Sequence, residues 1–220
     1  MLSLFDPTSA IDALSALFVV TTLVMMTHKS ITPAIRMYAL QSAILSLIAT
    51  IVAIATSEYH LLFIAAITLG LKTFGIPKLL DYVVERIKIK RESEPYINLS
   101  LALAIAGGLI LFAYFIVRPI QIPGELLAKH SLTASLGVVF MGFFIMVSRR
   151  KAITQTLGLL VMENGMFLAA LSLTYGMPLI VELGVAFDVL VAAIILGILL
   201  FNINRTFDTV DASRLTRLNE

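Results

Sequence analysis

The 220-residue chain is 59% hydrophobic and 14% charged, with a mean hydropathy of +0.98, which excludes an ordinary soluble domain and indicates an integral membrane protein. It contains no cysteine, which excludes disulfides, cysteine-held iron–sulfur clusters and a thiolate nickel–iron centre within it. The net charge of +2 arises from basic residues in short loops beside apolar runs rather than from a basic stripe, so nucleic acid is not an expected partner.

Seven apolar runs are long enough to cross a hydrocarbon layer of ~30 Å at ~1.5 Å per helical residue. They are continuous rather than alternating at period two, so helices are expected and barrel strands are not. The spans fall near 11–27, 35–56, 60–80, 97–117, 131–148, 152–174 and 178–202. Residues 1–10 lack a basic segment and carry Asp6, so the first span is expected to be retained rather than cleaved as a signal peptide. Sorting the loop cations puts Lys29, Arg36, Arg86, Lys88, Lys90, Arg91, Arg149, Arg150, Lys151, Arg205, Arg214 and Arg217 on one side and only Arg118 and Lys129 on the other. The positive-inside rule then places the N-terminus outside and the C-terminus in the cytoplasm, in agreement with an odd number of spans.

Between the third and fourth spans, residues 81–95 (DYVVERIKIKRESEP) are expected as a solvated cytoplasmic connector, or as a dock for a peripheral subunit or anionic lipid heads. Arg118 to His130 forms an outer loop with Pro119 and Pro123, and residues 203–220 form a polar cytoplasmic tail too poor in apolar residues to fold alone.

Seven charged residues stand within the apolar runs, and of these Lys72, Glu163, Asp188 and Glu182 are the candidates for a functional role. Lys72, halfway along the third span in Leu69-Gly-Leu-Lys-Thr-Phe-Gly-Ile-Pro77, is too deep to reach the headgroups and needs an acidic partner, a water-filled cavity or a depressed pKa. Gly70, Gly75 and Pro77 around it favour a kink or local unwinding. Glu163 is about 16 Å deep in the sixth span at ~1.5 Å per residue. Asp188 lies at similar depth in the seventh, an antiparallel neighbour, so the two acids are placed to face each other or share a short water chain. A carboxylate at the bilayer centre costs ~2.5–3.5 kcal/mol even on insertion scales, so such residues usually handle protons or ions. Glu182 sits nearer the outer surface on another face, either as a step toward the outside or as an interfacial acid in headgroup water. Gln41 is expected as an interhelical hydrogen-bonding residue, and Gly107, Gly108, Gly158 and Gly165 as points of close helix contact. No metal-ligand spacing, phosphate-binding glycine loop or catalytic triad is present in the sequence.

With these residues in place, the chain resembles the hydrogenase-4 component E family almost end to end. The segments that carry the resemblance are Tyr38-Ala-Leu-Gln41-Ser42, the Lys72 to Pro77 stretch, Val117-Arg-Pro119 with Ile122-Pro123, Met162-Glu-Asn-Gly165, Val181-Glu-Leu-Gly184 with Asp188, and Phe207-Asp208. The last three spans also resemble the small K-type subunit of respiratory complex I and the C subunit of multi-subunit sodium/proton antiporters. The resemblance implies an all-α, polytopic protein in three parts: an N-terminal four-helix region (1–130), a three-helix K-like module (131–202) and a tail (203–220). It further implies a non-catalytic subunit of a complex-I-like energy-converting hydrogenase or formate hydrogenlyase in the cell (inner) membrane. Its partners would be antiporter-like membrane subunits, an anchor similar to the H subunit of complex I, and a soluble hydrogenase arm. The nickel–iron site and iron–sulfur clusters would lie in those partners, with none in this chain.

By the same resemblance, Glu163 takes the first central glutamate position of the K-type subunit and Asp188 the second, with Glu182 as the alternative. Together with Lys72 they would relay protons or sodium ions across the bilayer. A cation/proton antiporter component without redox function and a structural spacer between membrane modules are the competing readings.

Overall fold

Continuous apolar sequence can satisfy its backbone in hydrocarbon only as helix or closed barrel. A computed structural model of the chain describes residues 7–57, 59–87, 97–120 and 129–174 and the separate positions Gly184, Val191, Ile194, Ile195 and Gly197, and its regular structure is all helical. Helices α1 (Pro7–Thr27), α2 (Ile31–Thr56), α5 (Leu99–Val117), α6 (Lys129–Ser148) and α7 (Ala152–Thr174) each make one span. Between α2 and α5, α3 (Tyr59–Ile67), a π-helical segment (Thr68–Gly75) and α4 (Ile76–Ile87) follow one another without a break. Among the described residues, six helices are long and apolar enough to cross a membrane. The expected seventh span lies mostly outside the described residues. Its five described positions are helical, and Val191 and Ile195, one turn apart, are buried in the common core.

The boundaries follow local chemistry and correct the expected spans in two places. α1 begins at Pro7, whose fixed φ and missing N–H suit the first helical position, so Asp12 falls inside the helix. α4 continues to Ile87 through residues expected to belong to a connector. Leu80, Val83 and Val84 are buried while Tyr82, Glu85 and Arg86 are exposed, so DYVVERI keeps one apolar face at helical spacing despite its charge. Asn98 caps α5, its Oδ1 accepting from Leu101 N–H at 2.9 Å, and α2 ends at Ser57, whose N–H donates to Ala53 O from a left-handed conformation (φ 60°).

α2 is the centre of the bundle, packed against α1, α3, the π-helical segment, α4 and α7, while α6 and α7 make the most extensive pairing. That pairing depends on glycine. A Cβ on Gly142 would stand 2.6 Å from Met162 N, one on Gly158 2.8 Å from Met146 N, and one on Gly165 2.9 Å from Ser135 O. The two backbones therefore touch along a stripe of small residues, as helices do where hydrocarbon provides no hydrophobic drive to associate. The expectation for Gly107 and Gly108 fails: a Cβ at either would meet nothing within 4 Å. They lie on the open side of α5, a peripheral helix packed on α6 and α1 that exposes Leu111, Phe112 and Phe115. Small polar contacts tie the rest together: Ser15 Oγ donates to Ser131 Oγ at 3.0 Å between α1 and α6, and Ser46 Oγ donates to Ala65 O at 2.8 Å between α2 and α3.

Gly142→Val or Gly158→Val should cost about 2 kcal/mol or more through overpacking at the α6–α7 contact. Gly107→Ala should be neutral or stabilising by up to about 1 kcal/mol, because it removes only a helix-interior glycine. Melting temperatures of the full chain in detergent check both, and equal losses at Gly142 and Gly107 would contradict the packing described.

Candidate functional site

Lys72 Nζ lies 2.5 Å from Glu163 Oε1 in a buried salt bridge between the third span and α7. The lysine that needed an acidic partner thus finds it within the chain. The residues are only 3% and 4% exposed, so neither reaches an aqueous surface by extending its side chain. Glu163 is equidistant from the two ends of α7, and Lys72 lies next to the midpoint of Tyr59–Ile87. Both are therefore at mid-span depth, where an isolated charge is most costly. Lys72 Nζ also stands 5.9 Å from the centre of the Phe167 ring, one turn after Glu163, close enough for a cation–π contribution.

The backbone around Lys72 is π-helical, and Ile76 N–H donates to Leu71 O, five residues back, rather than four. The expected kink is thus realised as a widened but continuous helix. Pro77 gives a reason: it has no N–H to donate and its ring crowds the preceding turn, and widening that turn is one way to keep the helix intact. Gly75 leaves ordinary clearance, since a Cβ there would stand 3.5 Å from Leu71 Cδ1.

Beside Glu163, Asn164 is fully buried and extends the polar site to the centre of the bundle. Its Nδ2 donates to Gln41 Oε1 at 3.2 Å and to Ser42 Oγ at 3.0 Å, and Gln41 Nε2 donates to Thr22 Oγ1 at 2.6 Å. One amide-centred network therefore joins α7, α2 and α1. Gln41 has the interhelical bonding expected of it. Asn164, Ser42 and Thr22 do not stand out as site residues in the sequence, although the neighbouring polar residues Gln41-Ser42 and Glu163-Asn164 in apolar runs are the signal that could have found them. Thr73 Oγ1 and Asn164 Oδ1, each adjacent in sequence to a member of the ion pair, are buried with no hydrogen-bond partner among the described residues. Asp188 and Glu182 lie outside the described residues. Gly184 does not, and a Cβ there would be 4.0 Å from Phe167 Cδ2, so this position of the last span passes beside the ring that covers Lys72.

Among the described residues no group of three His, Asp or Glu side chains is arranged to hold a metal ion. The arrangement brings one cation and one carboxylate together beside a set of neutral amides and hydroxyls in a buried setting.

Membrane-length helices around a mid-depth lysine–glutamate pair define a polytopic membrane protein with a charged interior site. The chain is 30% identical over 211 residues to an uncharacterised protein of Mycobacterium tuberculosis, covering 96% of each. It is 29% identical over 209 residues to the hydrogenase-4 component E proteins of Escherichia coli and Shigella flexneri, covering 94% of this chain and 96% of theirs. The chain belongs to the hydrogenase-4 component E family. No protein-family profile matches it, and no solved structure does.

Removing one partner of a buried ion pair leaves the other charge uncompensated, whereas replacing both with apolar groups is often close to neutral. Lys72→Met and Glu163→Leu should each destabilise the chain by about 3–5 kcal/mol, and the double variant should recover most of that loss. A double-mutant cycle of detergent melting curves reads the coupling, and additive losses would show that the two charges do not depend on each other.

Proposed function

We propose that the chain is a non-catalytic membrane subunit of a complex-I-like energy-converting hydrogenase, in which Lys72 and Glu163 contribute to proton or sodium translocation coupled to electron transfer in a soluble arm. The observation that carries this reading is the Lys72–Glu163 salt bridge at mid-span depth, between a π-helical segment of the third span and α7. Family membership supports the hydrogenase complex, since the Escherichia coli and Shigella flexneri relatives are named as hydrogenase components. A cysteine-free sequence suits a subunit that leaves redox chemistry to its partners. The subunit sits in the cell (inner) membrane with its N-terminus outside, beside antiporter-like subunits and an anchor similar to the H subunit of complex I.

In this reading the salt bridge is the resting state. A proton delivered to the Glu163 carboxylate neutralises it and leaves the Lys72 ammonium without its counter-charge. That ammonium then raises the energy of any further cation nearby and favours its departure toward the next site. Asp188 is the next relay acid, and Glu182 a step toward the outer surface. Thr73 Oγ1 and Asn164 Oδ1 offer polar oxygens to a water or ion beside the pair. The amide network holds α7 in the rotation that presents Glu163 to Lys72.

Glu163→Gln in the assembled complex should lower ion transport by on the order of tenfold or more, the scale of losing a positioned proton-transfer group. Hydrogenase activity of the soluble arm with an artificial electron acceptor should stay near the wild-type value. Dye-quench transport in inverted vesicles, run beside the acceptor assay, measures both. Full transport by both Glu163→Gln and Asp188→Asn variants would remove the relay role. Mass spectrometry of the co-purifying subunits separates the hydrogenase from a redox-free antiporter by the presence of a nickel–iron large subunit.

A further inference from the structure

At the membrane boundary where α1 ends, α5 begins and α6 ends, the structure contains a cavity of about 390 Å³. This is the size range of small-molecule sites. One wall is polar and basic, formed by His28, Lys29, Asn98 and Arg149, and none of the described lining residues is acidic. The guanidinium of Arg149 is fixed in that wall, with Nη2 donating to Met26 O at 2.7 Å at the C-terminal end of α1. Lys29 is exposed at the rim. Asn98 caps the 19-residue α5, so the positive end of that helix dipole is also at the cavity. The C-terminal ends of α1 and α6 also reach the cavity and bring the negative ends of their dipoles, one of them met by the Arg149–Met26 bond, so the positive character of the space comes mainly from the side chains of Lys29 and Arg149, with the α5 N-terminus beside them.

The rest of the lining is largely hydrocarbon and includes Leu99, Ala102 and Phe144. From Leu99 the exposed apolar face of α5 continues through Leu103 and Leu111 at helical spacing, with Gly107 between them leaving open space. A ligand that fits both walls carries an anionic head and an apolar tail, and enters from the membrane rather than from water. We propose that this cavity is a binding site for an anionic phospholipid. Its phosphodiester lies against Lys29, Arg149 and the N-terminus of α5, and an acyl chain follows α5 past Gly107. Basic pockets between spans are where such headgroups bind. The site is separate from the Lys72–Glu163 pair and involves none of its residues.

Native mass spectrometry of the full chain and of its assembled complex in neutral detergent tests the proposal with dioleoyl phosphatidylglycerol, dioleoyl phosphatidylcholine and inorganic phosphate as probes. Phosphatidylglycerol should be retained about tenfold more strongly than phosphatidylcholine, and Lys29→Gln combined with Arg149→Gln should remove most of that preference. Ala102→Phe, which fills the apolar wall, should weaken phosphatidylglycerol binding while leaving the basic wall intact. Lys29→Gln alone, at an exposed position, keeps the test valid if the Arg149 variant does not fold, and should give a smaller loss in the same direction. Equal retention of the two lipids, or phosphatidylglycerol binding unchanged in every variant, would overturn the proposal. So would inorganic phosphate competing fully with the lipid while Ala102→Phe has no effect, which would leave a simple anion site. Binding to the isolated chain but not to the complex, with Lys29 cross-linking to an acidic segment of a neighbouring subunit, would assign the cavity to a protein partner and overturn it as well.

Discussion

An ammonium and a carboxylate at the centre of a bilayer have few ways to exist, and in this chain they exist against each other. The 2.5 Å contact between Lys72 and Glu163 joins the third span to α7 through the interior of the bundle, and both side chains are almost wholly withdrawn from solvent. Much of the surrounding structure can be read as what that contact requires. The α6–α7 glycine contacts bring two backbones together and fix the position of α7 on one side. On the other side α2 packs against both the π-helical segment and α7 and so holds the two charged elements in one frame. Coulomb attraction in a medium of low dielectric is strong, but it offsets desolvation only when the partners are held in good geometry. The rigid helix contacts provide that geometry.

The neutral polar residues have a different part. Asn164, Gln41, Ser42 and Thr22 bond to one another across three helices through amide and hydroxyl atoms alone. Hydrogen bonds of this kind between membrane helices are individually modest, about 0.6 kcal/mol on average, so their effect is on rotation and register more than on stability. Because Asn164 is adjacent to Glu163, any rotation of α7 that moved the carboxylate would also break the amide contacts with α2.

Much of the architecture is legible in the sequence because hydrocarbon imposes a simple rule: long apolar runs become helices, and their limits follow from length. The sixth span is expected at 152–174, the bounds of α7. The extension of α4 to Ile87 is harder to read, because its charge masks the buried repeat of Leu80, Val83 and Val84. For the site, depth alone singles out Lys72 and Glu163, since both are costly residues near the middle of a run. Their pairing is not legible, because contact between residues 91 positions apart depends on how helices are arranged, and spacing along the chain carries no information about that. The glycines divide in the same way. Gly158 and Gly165 lie at a backbone contact and Gly107 and Gly108 do not, a difference set entirely by which face each helix turns to its neighbour.

The π-helical segment has a geometric consequence of its own. Its backbone hydrogen bonds reach back one residue further than those of the helices on either side, so the third span contains a surplus residue relative to an α-helix of the same height. Such a surplus can migrate along a helix by exchanging one carbonyl acceptor for the next, without the helix separating into two pieces. Each such step turns the side chains it passes by roughly 100° about the axis, the angle between successive α-helical residues. In this structure the surplus stands at the turn that carries Lys72, and with it there the ammonium points at Glu163 of α7, so the register of the backbone bonds in the third span and the direction of its charge are one and the same property.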